Sequence, residues 1–293
     1  MRLDEKDEED LSNVEDRREV VDDRPAASFT PGTKTTLGVG ATVAIVAIIV
    51  VVALFSKPSP TGLVGPQKRT TGTTARPQGA ARAAAEEGLK RTAVGSFNDA
   101  QRVFNGLLSH SPKRYRFAKL VLFWDKTTSG CGAAASSMGP FYCAADEKAY
   151  IDLGFYRDLS QRFGAPGKFA QAYVIAHEIG HHVQHLQGTM GKVRSLQARD
   201  TSRKSALSVG LELQADCYAG VWGHSAARRN LLDAGDIEAG LNAAAQLGDD
   251  TLRRAAGRAV SPETFSHGAA EDRERWFRRG LENGRLDACD TFK

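Results

Sequence analysis

Apolar residues recur along this chain with three different rhythms. From Leu37 to Phe55 they are almost continuous, LGVGATVAIVAIIVVVALF, 19 residues without a charge. As a helix rising 1.5 Å per residue that run reaches roughly 28 Å, about one hydrocarbon thickness of a bilayer. It predicts one uncleaved transmembrane anchor, because the segment before it is too long and too acidic for the n-region of a signal peptide. Tyr115–Trp124 (YRFAKLVLFW) is rich enough in aromatic and β-branched residues to predict a strand. Phe141–Cys143 and Ala149–Leu153 flank the polar turn AADEK and predict a hairpin. From Lys168 onward the period is helical, and Phe169, Tyr173, Ala176 and Gly180 fall on one face. Helices are expected over Lys168–Gln187, Ser202–Gly223, Asp236–Leu247 and Ala270–Asn283. A short earlier helix is expected with Ser96 as its N-cap and Phe97, Val103, Phe104 and Leu107 inward. A few early strands followed by many helices define an α+β class.

Composition divides the chain further. Residues 1–36 carry six Lys and Arg against eleven Asp and Glu and have almost no aromatic residues, so a disordered acidic tail is expected there. Residues 56–92, dominated by Pro, Gly, Thr and Ala, are expected to form a flexible linker, and the globular domain is placed at 93–293. With 41% hydrophobic and 25% charged residues, a wholly disordered chain and a polytopic membrane protein are both excluded. The net charge of +4 is spread without a basic run interleaved with aromatics, so no nucleic-acid partner is expected. Lys and Arg are similar in number on the two sides of the apolar run, and the positive-inside rule does not orient it. The four cysteines, Cys131, Cys143, Cys217 and Cys289, all follow that run. An even number on one side is compatible with two disulfides in an oxidising compartment. Cys131–Cys143 is then the natural local loop and Cys217–Cys289 a long-range staple; the alternative is four buried thiols.

The sharpest chemical feature is His177-Glu178-Ile179-Gly180-His181 within a helical segment. Histidines at i and i+4 project from one side of a helix and reach one tetrahedral zinc ion. Glu178, rotated beside them, is placed to take a proton from a zinc-activated water. A third ligand is needed, with a fourth position left for water. Glu212 and Asp216, also at i and i+4 on a helical segment, supply one: Glu212 is assigned as ligand and Asp216 as the group orienting an imidazole, with the reverse assignment open. His182 points away from the ligand face, and His185 is expected to decorate the helix surface. His224 is distant in sequence. His267 is a candidate donor to an oxyanion. The exposed edge of Tyr115–Trp124 is a candidate for pairing with an extended peptide substrate.

These stretches resemble a known family. Asn13-Val14-Glu15-Asp16-Arg17-Arg18, Cys131-Gly132 through GPFYC to Cys143, RFGAPGKFAQAYVIAHEIGHHVQ, LELQADCYAGVW, GDIEAGLNAAAQLGDD, SHGAAEDRERWFRRG and the terminal ACDTF are similar to the bacterial membrane-anchored neutral zinc metallopeptidases. The resemblance implies a zincin-like fold with His177, His181 and Glu212 on Zn2+ and Glu178 as catalytic base. It also implies an N-terminal anchor in the cytoplasmic membrane, the domain on its extracytoplasmic side, and a peptide or protein as substrate. The competing function is a catalytically silent, membrane-tethered binding module whose zinc is closed by four protein ligands, with His185 as the fourth.

Overall fold

A computed structural model describes residues 1–19, 46–47 and 76–293. Strand β3 (Lys119–Phe123) sits inside a five-stranded sheet. It pairs in parallel with β1 (Val14–Asp16) on one side and with β7 (Lys148–Asp152) on the other. β6 (Phe141–Cys143) runs antiparallel to β7, as the expected hairpin, and beyond it lies the two-residue strand β2 (Val46–Ala47). Alternation along the strands sends Leu120, Leu122 and Ile151 into the main core with the helices. Val121, Phe123, Tyr150 and Phe141 go to the other face, under the small hairpin of β4 (Lys126–Ser129) and β5 (Gly132–Ala135). With both sides of β3 occupied, Tyr115–Trp124 presents no edge to a substrate, which corrects that expectation.

The helices are α1 (Glu5–Glu9), α2 (Arg76–Leu107), α3 (Leu153–Gln161), α4 (Lys168–Gln187), α5 (Thr189–Arg199), α6 (Lys204–Arg228), α7 (Asp236–Gln246), α8 (Asp249–Ala255) and α9 (Ala270–Asn283). α4 and α9 match the expected spans, and α4 ends where Gly188 takes a left-handed conformation at φ 81°. α2 begins twenty residues before the N-cap that the sequence suggested. Ser96 lies inside it and donates to the carbonyl of Thr92 at 2.6 Å instead of capping, and Leu107 is exposed. The Ala- and Glu-rich stretch before Ser96 has high helix propensity, so residues 76–92 are helix rather than flexible linker.

Residues 1–19 are ordered against the domain, a second correction. The Asn98 amide donates to the carbonyls of Asp7 and Asp10 at 2.9 and 2.8 Å. Arg102 pairs with buried Asp7, and Lys148 reaches Glu15 at 2.6 Å. Met1 is buried in the main core, and a Cβ at Gly95 would stand 2.9 Å from Glu8 and 3.1 Å from Leu3, so the two segments touch without room for a methyl group. The acidic composition misled because Asp7, Glu15 and Asp16 find cations on the domain, while Asp4, Glu5, Glu9 and Asp10 stay exposed. The apolar run Leu37–Phe55 lies outside the described residues except Val46–Ala47, which pair with β6. Among the described residues no helix is long and apolar enough to cross a membrane.

Replacing Asn98 with Ala strands two carbonyls in a buried contact. The substitution is expected to cost about 2 kcal/mol in urea unfolding of the purified chain; an unchanged midpoint would show that residues 1–19 do not dock.

Candidate metal centre

α4 is buried nearly all round, and it meets α6 where Gly180 faces Ala215: a Cβ on Gly180 would lie 3.0 Å from the Ala215 carbonyl oxygen. That close approach sets one turn of α6 beside the HExxH turn. The ring nitrogens of His177 and His181 and a carboxylate oxygen of Glu212 all come within 4.8 Å of one another, and all three residues are buried. His177 Nε2 lies 3.3 Å from Glu212 Oε2, and His181 Nε2 lies 3.6 Å from Glu212 Oε1. Tetrahedral ligands at zinc–nitrogen and zinc–oxygen bond lengths stand roughly 3.4 Å apart, so the spacing suits a cation better than a direct contact.

The hydrogen bonds point the same way. His177 Nδ1 donates to Asp216 Oδ1 at 2.8 Å, and His181 Nδ1 donates to Gln184 Oε1 at 2.8 Å. Gln184 is itself held in that orientation, its amide donating to the Leu211 carbonyl at 2.7 Å and to Gln214 Oε1 at 3.1 Å. Both imidazoles therefore carry their proton on Nδ1 and turn the Nε2 lone pair inward. Among the described residues those two Nε2 atoms and Glu212 Oε2 are buried without a hydrogen-bond partner. Buried polar atoms are rarely left so, and three of them converging fit a divalent metal held by two histidines and one glutamate.

Both carboxylate oxygens of Glu178 are likewise buried and without a partner. Burial, with the Glu212 charge adding to it, pushes the Glu178 carboxyl up to about 8. Burial lowers His181 to about 4. At His177 burial works downward but is outweighed by Asp216 and Glu212, which raise it to about 9. Glu212 is held below the usual carboxylate range against its own burial by His181, His177 and His267. A cation bound there takes over the positive charge that a proton would otherwise bring to His177.

The other sequence candidates separate cleanly. Asp216 belongs to His177 and not to the converging set. His267, just before α9, is anchored by Asp249: its Nδ1 lies 3.0 Å from Asp249 Oδ1 and its backbone N–H donates to Asp249 Oδ2 at 2.7 Å. His182 is buried between the Tyr142 hydroxyl at 2.8 Å and the Arg116 carbonyl at 2.6 Å. His185 faces Glu147 at 3.2 Å and does not join the metal group, and His224 lies 2.7 Å from the Leu281 carbonyl. Cys131–Cys143 and Cys217–Cys289 are disulfides. Sequence reasoning missed Gln184, Tyr173 and Arg273. The first two sit at helical spacing from the ligands, and that spacing was the signal available; Arg273 had none.

Two histidines one turn apart on one helix and a buried glutamate from a second form a group able to hold a metal ion. The chain belongs to the family described as "Putative neutral zinc metallopeptidase", which matches residues 1–292. It is 51% identical over 181 residues to the uncharacterized protein YpfJ of Escherichia coli, covering 61% of this chain and 63% of that protein. It is 40% identical over 189 residues to the uncharacterized protein Rv2575 of Mycobacterium tuberculosis, again covering 61% and 63%. The matched region thus spans under two thirds of these curated relatives. No solved structure matches the chain.

Stripped of metal and titrated, the protein should take up one zinc per chain and melt at a higher temperature in its presence. Glu212→Gln should weaken uptake by more than 100-fold. If Glu212→Gln binds normally while Asp216→Asn abolishes uptake, the two carboxylates have exchanged roles.

Proposed function

We propose that this protein is a zinc-dependent peptidase that hydrolyses peptide bonds with Glu178 as general base. The observation that carries the reading is the Glu178 carboxyl group, enclosed beside the three converging ligand atoms with neither oxygen engaged. A structural site has no use for such a group. His177, His181 and Glu212 would hold a zinc ion, which would supply Lewis-acid chemistry and acidify a bound water. With that ion bound, Glu178 would accept a proton from the attacking water and return it to the leaving amine, its two free carboxylate oxygens being the acceptors available there. Asp216 and Gln184 hold the two imidazoles in the tautomer that ligation needs. His267, buried and braced by Asp249, is the donor proposed for the oxyanion. His185 pairs with Glu147, so the silent module with His185 as fourth ligand has no support from its position.

Two disulfides support an oxidising, extracytoplasmic setting, and the apolar run 37–55 supports attachment to the adjoining membrane. β1 is part of the domain's own sheet. The pairing of β1 with β3 favours a reading in which residues 14–16 share the domain's side of the membrane. Attachment from that side is the alternative we set against the single crossing expected from the sequence.

Glu178→Gln should retain zinc and lose 10²-fold or more of the cleavage rate on a proteome-derived peptide library. Undiminished cleavage would remove Glu178 from the mechanism. Ser12→Cys and Ser202→Cys, each exposed in intact cells to a membrane-impermeant thiol reagent, should both be labelled; protection of Ser12→Cys alone would restore the single crossing.

A further inference from the structure

α6 offers the metal centre two buried carboxylates one turn apart, and both contact His177. Glu212 approaches Nε2 at 3.3 Å and Asp216 accepts from Nδ1 at 2.8 Å. Helical spacing alone makes them equivalent. We propose that Arg273, on α9, is the positioning residue that separates their roles: it locks Asp216 onto the Nδ1 side of His177, so that Glu212 is the carboxylate left to ligate. The inference rests on the metal-centre reading above.

The guanidinium is completely buried and every contact it makes is directed. Nε donates to Asp216 Oδ2 at 2.8 Å and Nη2 to Asp216 Oδ1 at 2.9 Å, a two-pronged grip on the carboxylate plane. Nη1 donates to the Leu247 carbonyl at 2.9 Å, and Nη2 also reaches the Tyr173 hydroxyl at 3.2 Å. Tyr173 in turn donates to Asp216 Oδ1 at 2.6 Å. Asp216 Oδ1 thus accepts from His177, Tyr173 and Arg273, and Oδ2 from Arg273, which leaves the carboxylate neither a spare direction nor an unbalanced charge with which to swing toward a cation. Glu212 has no such partner, and its Oε2 is buried unsatisfied among the described residues.

The backbone brings Arg273 into place. α6 and α9 are in direct contact through two glycines: a Cβ on Gly220 would lie 2.1 Å from the Phe277 carbonyl oxygen, and one on Gly280 would lie 2.0 Å from the Cys217 carbonyl oxygen. Arg273 sits one turn before Phe277, Asp216 one turn before Gly220, and the Cys217–Cys289 disulfide ties the same region together. Lysine carries the charge but not the fork. It cannot hold both oxygens of Asp216 together with Leu247 and Tyr173.

The test compares wild type, Arg273→Lys and Arg273→Ala in the full chain. Zinc affinity is read by competition with a chromophoric chelator, the ligand set by the visible spectrum of the cobalt-substituted protein, and folding by circular dichroism. Arg273→Ala is expected to bind zinc 10- to 100-fold more weakly with an altered cobalt spectrum, methylguanidinium is expected to restore part of both, and Arg273→Lys should fall between. A folded Arg273→Ala with wild-type affinity and spectrum overturns the proposal. Should Arg273→Ala fail to fold, Arg273→Lys decides: wild-type affinity and spectrum overturn the role, and weakened binding with a changed spectrum in a folded chain supports it. Wild-type protein that takes up no zinc overturns the metal-centre reading along with this one, whereas normal wild-type uptake with unaffected variants overturns this one alone.

Discussion

The ion pair between Asp216 and Arg273 stands where α4, α6 and α9 meet, and both side chains are excluded from water. Burying two charges is costly, and a pair of this kind breaks even only when its remaining hydrogen-bonding positions are filled. Here they are filled by His177, Tyr173 and the Leu247 carbonyl. The arrangement joins the metal-facing helix to the last helix of the domain through polar groups that tolerate little displacement. A hydrophobic replacement would pack as well and would leave His177 free to turn. The pair is therefore better understood as fixing one geometry than as adding stability.

Close helix approach is the condition for that pair. Gly180 lets α6 come against α4, and Gly220 with Gly280 lets α9 come against α6. Contacts at backbone distance convert a carboxylate on one helix and a guanidinium on another into partners within hydrogen-bond reach. Each of these glycines lies inside a helix, where the residue is otherwise unfavourable by about 1 kcal/mol, so the packing supplies the reason for its presence. The Cys217–Cys289 bridge secures the same junction from the C-terminal end, and Gln214 adds a hydrogen bond to the Cys289 carbonyl at 2.9 Å.

The N-terminal segment shows how composition and context diverge. Its acidic residues resemble a solvated tail when counted, yet Asp7 and Glu15 face Arg102 and Lys148 across the sheet and the long helix α2. A count of charges carries no information about partners a hundred residues away. The same limit explains the misplaced substrate edge: a strand's hydrophobicity says that it is buried, and only the pairing of β1 and β7 says that both its flanks are occupied.

What the amino-acid order determined by itself was local. The HExxH spacing put His177 and His181 one turn apart on a helix, and the apolar period set the span of α4, because both depend only on residues within a few turns of one another. The α+β class followed from the same short-range patterns, whereas the Cys217–Cys289 bridge, 72 residues apart, was only one option that the sequence left open. Tertiary structure closed the choice between Glu212 and Asp216 that the sequence had assigned but left open, and it alone decided which nitrogen of each imidazole carries its proton and that residues 1–19 belong to the domain. Those outcomes turn on groups brought together from distant parts of the chain, above all Arg273 against Asp216, and the physical reason is that a hydrogen bond or ion pair is specified by distance and direction in space, which periodicity along the sequence does not encode.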